Sequence, residues 1–274
     1  MLYLILSILL SALIAIIMRY SERYTKNGNG MLIFNYVMCI ALSACFTRFS
    51  FGEGFGFAAG VGALNGVLFL SVFMLLKWNI SRNGVILPST FQRLGVIIPT
   101  ILSIAVFGEK PNAFKVIGFL ITIAAIVFMT GGGERGHDRS YLGLIAMLCI
   151  AGITDAFAKV YEHWGNPEMS GMYLFVTFCV AFIVLSIIML VRHERIDKWC
   201  VVFGLMVGVP NFFSARCLLN ALAELPALIV YPTYAISILA VLAIAGIVLF
   251  HEKLSKRQWI SLGGIAAALV LLNI

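Results

Sequence analysis

Ten long apolar segments with short polar connections constrain this chain more than any other feature of its sequence. They cover residues 2–18, 31–48, 56–76, 84–107, 113–130, 140–160, 169–191, 199–221, 226–250 and 257–273. An α-helix needs about 20 apolar residues, within a range of about 17–25, to cross a lipid bilayer. Backbone polar groups in lipid must be satisfied by the protein itself, which helices achieve. The pattern predicts an all-α integral membrane protein with ten transmembrane helices.

The composition argues against a water-soluble fold and against a surface for nucleic acid. Of the 274 residues, 62% are hydrophobic and 11% are charged, whereas soluble domains are about 45–50% apolar and about 25% charged. The formal charge is +7, but the basic residues lie mostly in the gaps between apolar segments, not in one patch interleaved with aromatics. We therefore expect a multi-pass protein of the inner or plasma membrane, with the lipid bilayer and no nucleic acid as its partner.

Two stretches of the sequence, half a chain apart, are similar to each other. One runs from Ile86-Leu87-Pro88 to Phe107-Gly108-Glu109-Lys110, and the other from Ile229-Val230-Tyr231-Pro232 to Phe250-His251-Glu252-Lys253. Internal similarity of this kind predicts a duplication, here of five helices. An odd number of helices per repeat makes the two halves cross the membrane in opposite directions. Inverted repeats are typical of secondary transporters.

The boundary between the repeats is predicted from a glycine-rich, charged stretch near the middle of the chain, residues 131–139. Such a composition is typical of a linker. The first repeat is then residues 1–130 and the second is residues 140–274. Most Lys and Arg residues follow odd-numbered helices, so the positive-inside rule predicts that both termini lie outside the cell.

The duplicated turn before the last helix of each half carries a resemblance to a known family. So do Met18-Arg19-Tyr20-Ser21-Glu22 and Lys159-Val160-Tyr161-Glu162, which look like the end of helix one in small multidrug resistance proteins. Over nearly its whole length the chain resembles the ten-helix, EamA-like branch of the drug/metabolite transporter superfamily. That resemblance implies two five-helix halves, transport, and both termini in the cytoplasm, the reverse of the loop-charge prediction. Where the small proteins carry a proton-coupling Glu, this chain has Ser11 and Ala151, so the resemblance does not imply proton-coupled cation antiport.

Three ionisable side chains lie well inside apolar segments: Asp155, Arg93 and Arg216. Ionisable groups within a membrane are costly and are candidates for function by default. Arg93 lies about 13–14 Å along its predicted helix at about 1.5 Å per residue, near the midplane, whereas Arg216 is close enough to a helix end to snorkel. Asp155 either pairs with Lys159 four residues later or faces a cavity and balances an arginine.

Four neutral side chains complete the predicted substrate site. Tyr231 and Tyr234 share one helix face beside Pro232 and offer an aromatic wall with hydroxyls. The amides of Asn65 and Asn211, in equivalent helices of the two halves, either bind substrate or hold helices together. We expect one central cavity in which Arg93 binds an anionic group. Prolines and glycines in these helices, Pro99 above all, predict the interrupted helices at which transporters build sites.

The sequence predicts a carrier and no enzyme. It holds no motif of nucleophilic or metal-assisted catalysis and no metal-binding spacing, so we expect no catalytic residue, metal or cofactor. Two arginines against one aspartate favour a small polar substrate that is anionic or zwitterionic, such as an amino acid or a nucleoside-like compound, moved by alternating access. The alternatives are an exporter of cationic or lipophilic drugs, an intramembrane enzyme and a non-transporting membrane subunit. The sequence identifies no coupling ion, and both monomer and homodimer remain open.

Glu109 and Glu252, at the turn into the last helix of each half, are predicted to be structural. A carboxylate there can accept hydrogen bonds from the free N–H groups of a helix N-terminus and complement the helix dipole.

Overall fold

The computed structural model describes residues 1–25, 27–47, 49, 52–83, 86–130, 141–194, 196–250 and 256–273. These residues form α-helices, one short 3-10 turn at Pro167–Met169 and no strand. The helices are α1 (Leu2–Ser21), α2 (Gly28–Phe46), α3 (Phe55–Asn83), α4 (Ile86–Leu94), α5 (Ile97–Ala105), α6 (Ala113–Thr130), α7 (Tyr141–Trp164), α8 (Ser170–Arg192), α9 (Lys198–Glu224), α10 (Ala227–Phe250) and α11 (Lys256–Asn273). The predicted linker, residues 131–139, and Glu252 lie outside the described residues.

Helices occur wherever the apolar segments predicted them, and the all-α class is confirmed for the described residues. Seven helices in this part of the chain are long and apolar enough to cross a membrane: α1, α2, α3, α7, α8, α9 and α10. Phe91–Ala105 and Ala113–Phe128 are apolar but shorter. The count of ten spans and their arrangement as two inverted repeats therefore stay predictions.

The fourth apolar segment is broken into α4 and α5 at Gly95 and Val96. Pro99 has no N–H, so it cannot donate to the carbonyl of Gly95 four residues earlier. That carbonyl accepts instead from the N–H of Ile98, at 2.9 Å, which tightens the turn. Pro99 itself lies in the first turn of α5, where a missing N–H costs no helical hydrogen bond. In contrast, Pro210 and Pro232 lie inside the continuous helices α9 and α10.

The described residues divide into two compact units that both draw on the two halves of the sequence. Unit 1 comprises Met1–Leu70 and Val160–Ala223, and unit 2 comprises Ser71–Lys159 and Glu224–Ile274. Helices α3 and α7 therefore each contribute one end to each unit. The two predicted repeats follow each other in the sequence, whereas each unit combines segments from both halves of the chain. The division into repeats stays a prediction.

Unit 1 is built on close contacts between helices at glycines. A Cβ at Gly66 of α3 would lie 2.5 Å from the carbonyl oxygen of Thr177 in α8, and one at Gly62 would lie 2.7 Å from that of Tyr173. Likewise, a Cβ at Gly208 of α9 would lie 2.8 Å from the carbonyl oxygen of Asn35 in α2. Glycines let membrane helices approach this closely where lipid gives apolar side chains no drive to associate.

We expect Gly66→Ala and Gly60→Ala, in the same helix, to have opposite effects on thermal stability in detergent. At Gly66 the new methyl group clashes with backbone of α8, and overpacking of this kind costs about 1–3 kcal/mol. At Gly60 a Cβ meets nothing within 4 Å, so only the gain in helix propensity remains, about 0.5–1 kcal/mol. Equal unfolding temperatures for the two variants would contradict the close packing of α3 on α8.

At one end of unit 1, the connection between α1 and α2 is bonded to the connection between α8 and α9. Thr25 Oγ1 donates to Asp197 at 2.7 Å, and the backbone N–H of Cys200 donates to the same carboxylate at 2.9 Å. These donors hold the pKa of the Asp197 carboxyl below its ordinary value. Nearby, Asn29 Nδ2 lies 2.7 and 2.9 Å from the two carboxylate oxygens of Glu194.

Unit 2 packs α6 against α11, and α10 against α5, α6 and α11. Its buried apolar core joins α4, α6, α10 and α11 through Leu94, Ala125, Ile126, Ala235, Ile236, Leu239, Ile265, Ala268 and Leu272. This core fixes the break between α4 and α5 against α10, and with it the position of the side chains at the break.

Glu109 joins three parts of unit 2. Its carboxylate accepts the backbone N–H groups of Ala227 and Leu228, at 2.8 and 3.0 Å, and so caps the N-terminus of α10. It also pairs with Lys159 of α7 at 3.6 Å, with the two side chains 14% and 7% exposed respectively. The predicted capping role is confirmed for Glu109. The capped helix, however, is α10, more than a hundred residues away, while Asn112 caps the adjacent helix α6 by accepting the N–H of Lys115 at 2.8 Å.

Candidate functional site

Arg93 lies in the last turn of α4, directly before the break. The carbonyl groups at the C-terminal end of a helix carry partial negative charge and stabilise a cation there. The side chain is half-buried and interacts electrostatically with Tyr234 of α10, which is also half-buried. Among the described residues, no carboxylate forms an ion pair with Arg93. A guanidinium is suited to bind an anionic group, because it presents a planar fork of donors.

Asp155 of α7 is not paired with Lys159, since Lys159 pairs with Glu109. The Asp155 carboxylate is half-buried, and within the described part of the chain it has neither an ion pair nor a hydrogen bond. Its backbone carbonyl, in contrast, accepts the hydroxyl of Tyr231 at 2.6 Å. Through this hydrogen bond Tyr231, which is only 2% exposed, links α10 to α7.

A pair of glycines brings α7 to the break in the fourth segment. A Cβ at Gly152 would lie 2.5 Å from the carbonyl oxygen of Gly95, and one at Gly95 would lie 2.8 Å from the backbone nitrogen of Gly152. Arg93 lies two residues before Gly95, and Asp155 lies three residues after Gly152. At about 1.5 Å per residue, each is displaced from this contact by less than about 5 Å along the axis of its helix.

Four predicted residues thus lie in unit 2: Asp155 with Tyr231, which are joined by a hydrogen bond, and Arg93 with Tyr234, which interact electrostatically. Our sequence reasoning missed the glycine contact that organises them. One signal for it was available, because Gly95 precedes Pro99 by four residues and so carries the carbonyl that proline leaves free. Nothing comparable distinguishes Gly152 within its apolar segment.

The other three predicted residues lie in unit 1, each with a contact of its own. Asn65 is buried and its Nδ2 donates to the hydroxyl of Tyr173 at 2.6 Å. Asn211 Nδ2 donates to Asn35 Oδ1 at 3.1 Å. The guanidinium of Arg216 lies over the ring of Phe46, 5.2 Å from its centre. These contacts hold helices of unit 1 together, whatever further role the side chains have.

Unit 1 also contains a cavity of about 430 Å³ at the end of α8. It is lined by Ile33, Ser186, Met189, Leu190, His193, Glu194 and Ile196. In the part of the chain that the structure describes, no group of three or more His, Cys, Asp or Glu side chains is placed to hold a metal ion.

The second half of the chain, residues 139–274, matches the EamA-like transporter family. Over 94% of its length the chain is 24% identical to an uncharacterised protein of Haemophilus influenzae, of which it covers 93%. It is 30% identical to the uncharacterised inner membrane transporter YedA of Escherichia coli K12, over 61% of this chain and 55% of YedA. The match thus spans about half the length of YedA.

A crystal structure of another protein shares the fold. It is 12% identical in sequence and superimposes with a TM-score of 0.77, covering 100% of this chain and 97% of that one. A sequence identity this low supports a shared fold and nothing further. Together with the seven apolar helices, the family match and the inner membrane relative identify a multi-pass membrane protein.

Proposed function

We propose that this chain is a member of the EamA-like transporter family, whose model its second half matches, and hence a drug/metabolite transporter: a secondary active transporter of a small polar metabolite. Its substrate carries an anionic group, alone or within a zwitterion. Amino acids and nucleoside-like compounds both fit this class. The transport cycle is alternating access between two halves of the protein.

The observation that carries the proposal is Arg93 at the break between α4 and α5. Interrupted helices expose polar backbone within a membrane, and transporters bind substrate there. A guanidinium presents a planar fork of donors that matches a carboxylate or phosphate. Because no carboxylate of the described residues pairs with Arg93, a substrate anion can take that place. Tyr234, beside it, supplies an aromatic surface for an apolar or planar part of the substrate.

The test is flux into proteoliposomes that contain the purified protein. Radiolabelled neutral amino acids, dicarboxylates and nucleosides represent the proposed class, and ethidium represents lipophilic cations. We expect saturable uptake of at least one compound of the proposed class, blocked by an excess of the same unlabelled compound and absent from vesicles without protein. Transport of ethidium alone would replace the proposal with a cation exporter. Transport of none of the compounds would reject it.

A further inference from the structure

We propose that unit 1 carries a binding site for the headgroup of an anionic phospholipid, at the end where α1 ends and α9 begins. The site is a cluster of aromatic side chains with Arg23 and Lys198 on its rings. It binds lipid and not the transported substrate, so it goes beyond the proposed function and does not depend on it. The aromatic cluster consists of Tyr20, Tyr24, Trp199 and Phe203.

The aromatic cluster joins the end of α1 to the start of α9. The ring centres of Tyr24 and Trp199 lie 4.7 Å apart, and those of Tyr20 and Tyr24 lie 5.5 Å apart. The ring centre of Phe203 lies 5.4 Å from that of Tyr24 and 6.0 Å from that of Trp199. Phe203 is buried, whereas Tyr20 and Tyr24 are 44% and 42% exposed. Packed aromatic rings at such distances stabilise one another, so the cluster presents a preformed surface.

The aromatic cluster lies at the depth of the lipid headgroups. Both α1 and α9 are long and apolar enough to cross a membrane. Tyr20 lies in the last turn of α1, and Trp199 lies in the first turn of α9. Tyr and Trp side chains are enriched where the acyl chains of a bilayer meet the headgroups. A headgroup is therefore the ligand that this surface meets first.

Two cations lie on the rings of the aromatic cluster. The guanidinium carbon of Arg23 is 5.6 Å from the ring centre of Tyr20, and Lys198 Nζ is 5.5 Å from a ring centre of Trp199. Both side chains are exposed, and neither forms an ion pair with a carboxylate of the described residues. A ring face attracts a cation without neutralising its charge. Both cations can therefore bind the phosphate of a lipid.

The two tyrosine hydroxyls add a neutral donor beside these cations. The oxygens of Tyr20 and Tyr24 lie 3.1 Å apart, so one hydroxyl donates its proton to the other. Since each phenol carries one proton, the accepting hydroxyl keeps its own for a further acceptor. A phosphate oxygen is such an acceptor, and a hydrogen bond to a charged group is stronger than one to a neutral group.

The charge around the aromatic cluster favours an anion. Residues 19–30 and 192–200 contain six Lys or Arg and three Asp or Glu. Two of the three carboxylates are bonded within the protein: Asp197 accepts from Thr25 and from the N–H of Cys200, and Glu194 accepts from Asn29. Basic residues just beyond a membrane helix attract anionic lipids. An anionic headgroup complements this end of unit 1.

The experiment measures the dissociation constant of the first bound lipid by native mass spectrometry of the purified protein in detergent. Dioleoylphosphatidylglycerol is compared with dioleoylphosphatidylcholine, which has the same acyl chains and no net charge. We expect the wild type to bind phosphatidylglycerol at least about tenfold more tightly. Arg23→Gln combined with Lys198→Gln should weaken this binding about 30-fold and leave that of phosphatidylcholine unchanged. Tyr20→Phe combined with Tyr24→Phe, which keeps the rings, should weaken it by about 3- to 10-fold.

The matched control is Lys77→Gln combined with Arg82→Gln, which removes the same two charges at the end of α3. Both side chains are exposed, and the guanidinium carbon of Arg82 lies 4.5 Å from a ring centre of Trp78, outside the aromatic cluster. We expect this control to keep the affinity of the wild type for phosphatidylglycerol. An equal loss in both paired glutamine variants would mean that net charge alone attracts the lipid, which overturns the site.

Three further outcomes would also overturn the site. One is equal binding of the two lipids by the wild type, a comparison that needs no variant to fold. Another is unchanged affinity for phosphatidylglycerol in the Arg23→Gln and Lys198→Gln protein; if this protein does not fold, Lys198→Gln alone must lose about fivefold. The third is displacement of phosphatidylglycerol by inorganic phosphate but not by potassium chloride of equal ionic strength, which would indicate a site for free phosphate.

Discussion

Replacing Glu109 with alanine is expected to lower the free energy of unfolding by about 3–5 kcal/mol, the usual cost of removing one partner of a buried ion pair. The pair with Lys159 is well shielded, since the two side chains are 14% and 7% exposed. The same substitution also removes the acceptor for the N–H groups of Ala227 and Leu228. Loss of a helix cap alone costs about 0.5–2 kcal/mol.

Thermal unfolding of the purified protein in detergent measures this effect, with Glu22→Ala as the control. Glu22 is an exposed acidic residue just beyond the end of α1, so its loss should change stability little. Glu109→Gln separates the two roles, because the amide oxygen still accepts one N–H while the charge is gone. We expect its stability to lie between that of the wild type and that of Glu109→Ala. An unfolding temperature for Glu109→Ala equal to that of Glu22→Ala would show that the contacts of Glu109 with Lys159 and with the N-terminus of α10 do not stabilise unit 2.

Replacing Arg93 with alanine is expected to weaken binding of an anionic or zwitterionic substrate by about 10- to 150-fold. This corresponds to about 1.5–3 kcal/mol for a lost hydrogen bond to a charged group. Arg93→Lys keeps the charge but loses the planar fork, so we expect a smaller loss. The measurement is the affinity of the three proteins for L-phenylalanine and for 3-phenylpropionate, each protein being checked for folding.

The control for Arg93 is Arg192→Ala, which removes an exposed arginine at the end of α8 and should leave affinity unchanged. Loss of Arg93 should weaken the binding of both compounds, because both carry a carboxylate. Wild-type affinity in a folded Arg93→Ala protein would remove Arg93 from the site.

Local features of the sequence were sufficient to locate the helices. A helix satisfies its own backbone and its apolar side chains favour lipid over water, and both properties depend on residues close in the chain. The break in the fourth segment is local as well, since Pro99 withholds a hydrogen bond from Gly95 four residues earlier. For the same reason, the sequence alone singled out Arg93, Asp155 and Arg216 as charges in apolar surroundings.

The partners of those side chains were decided only by the tertiary structure. Sequence spacing offered Lys159 to Asp155, yet Lys159 pairs with Glu109, and Glu109 caps α10 and not the helix that follows it. Tyr231 and Tyr234 share a helix face in the sequence, but one is buried against Asp155 and the other lies near Arg93. A side chain several ångströms long can reach groups on any neighbouring helix. Which neighbour it meets depends on the close contacts at residues such as Gly95 and Gly152, between segments far apart in the chain.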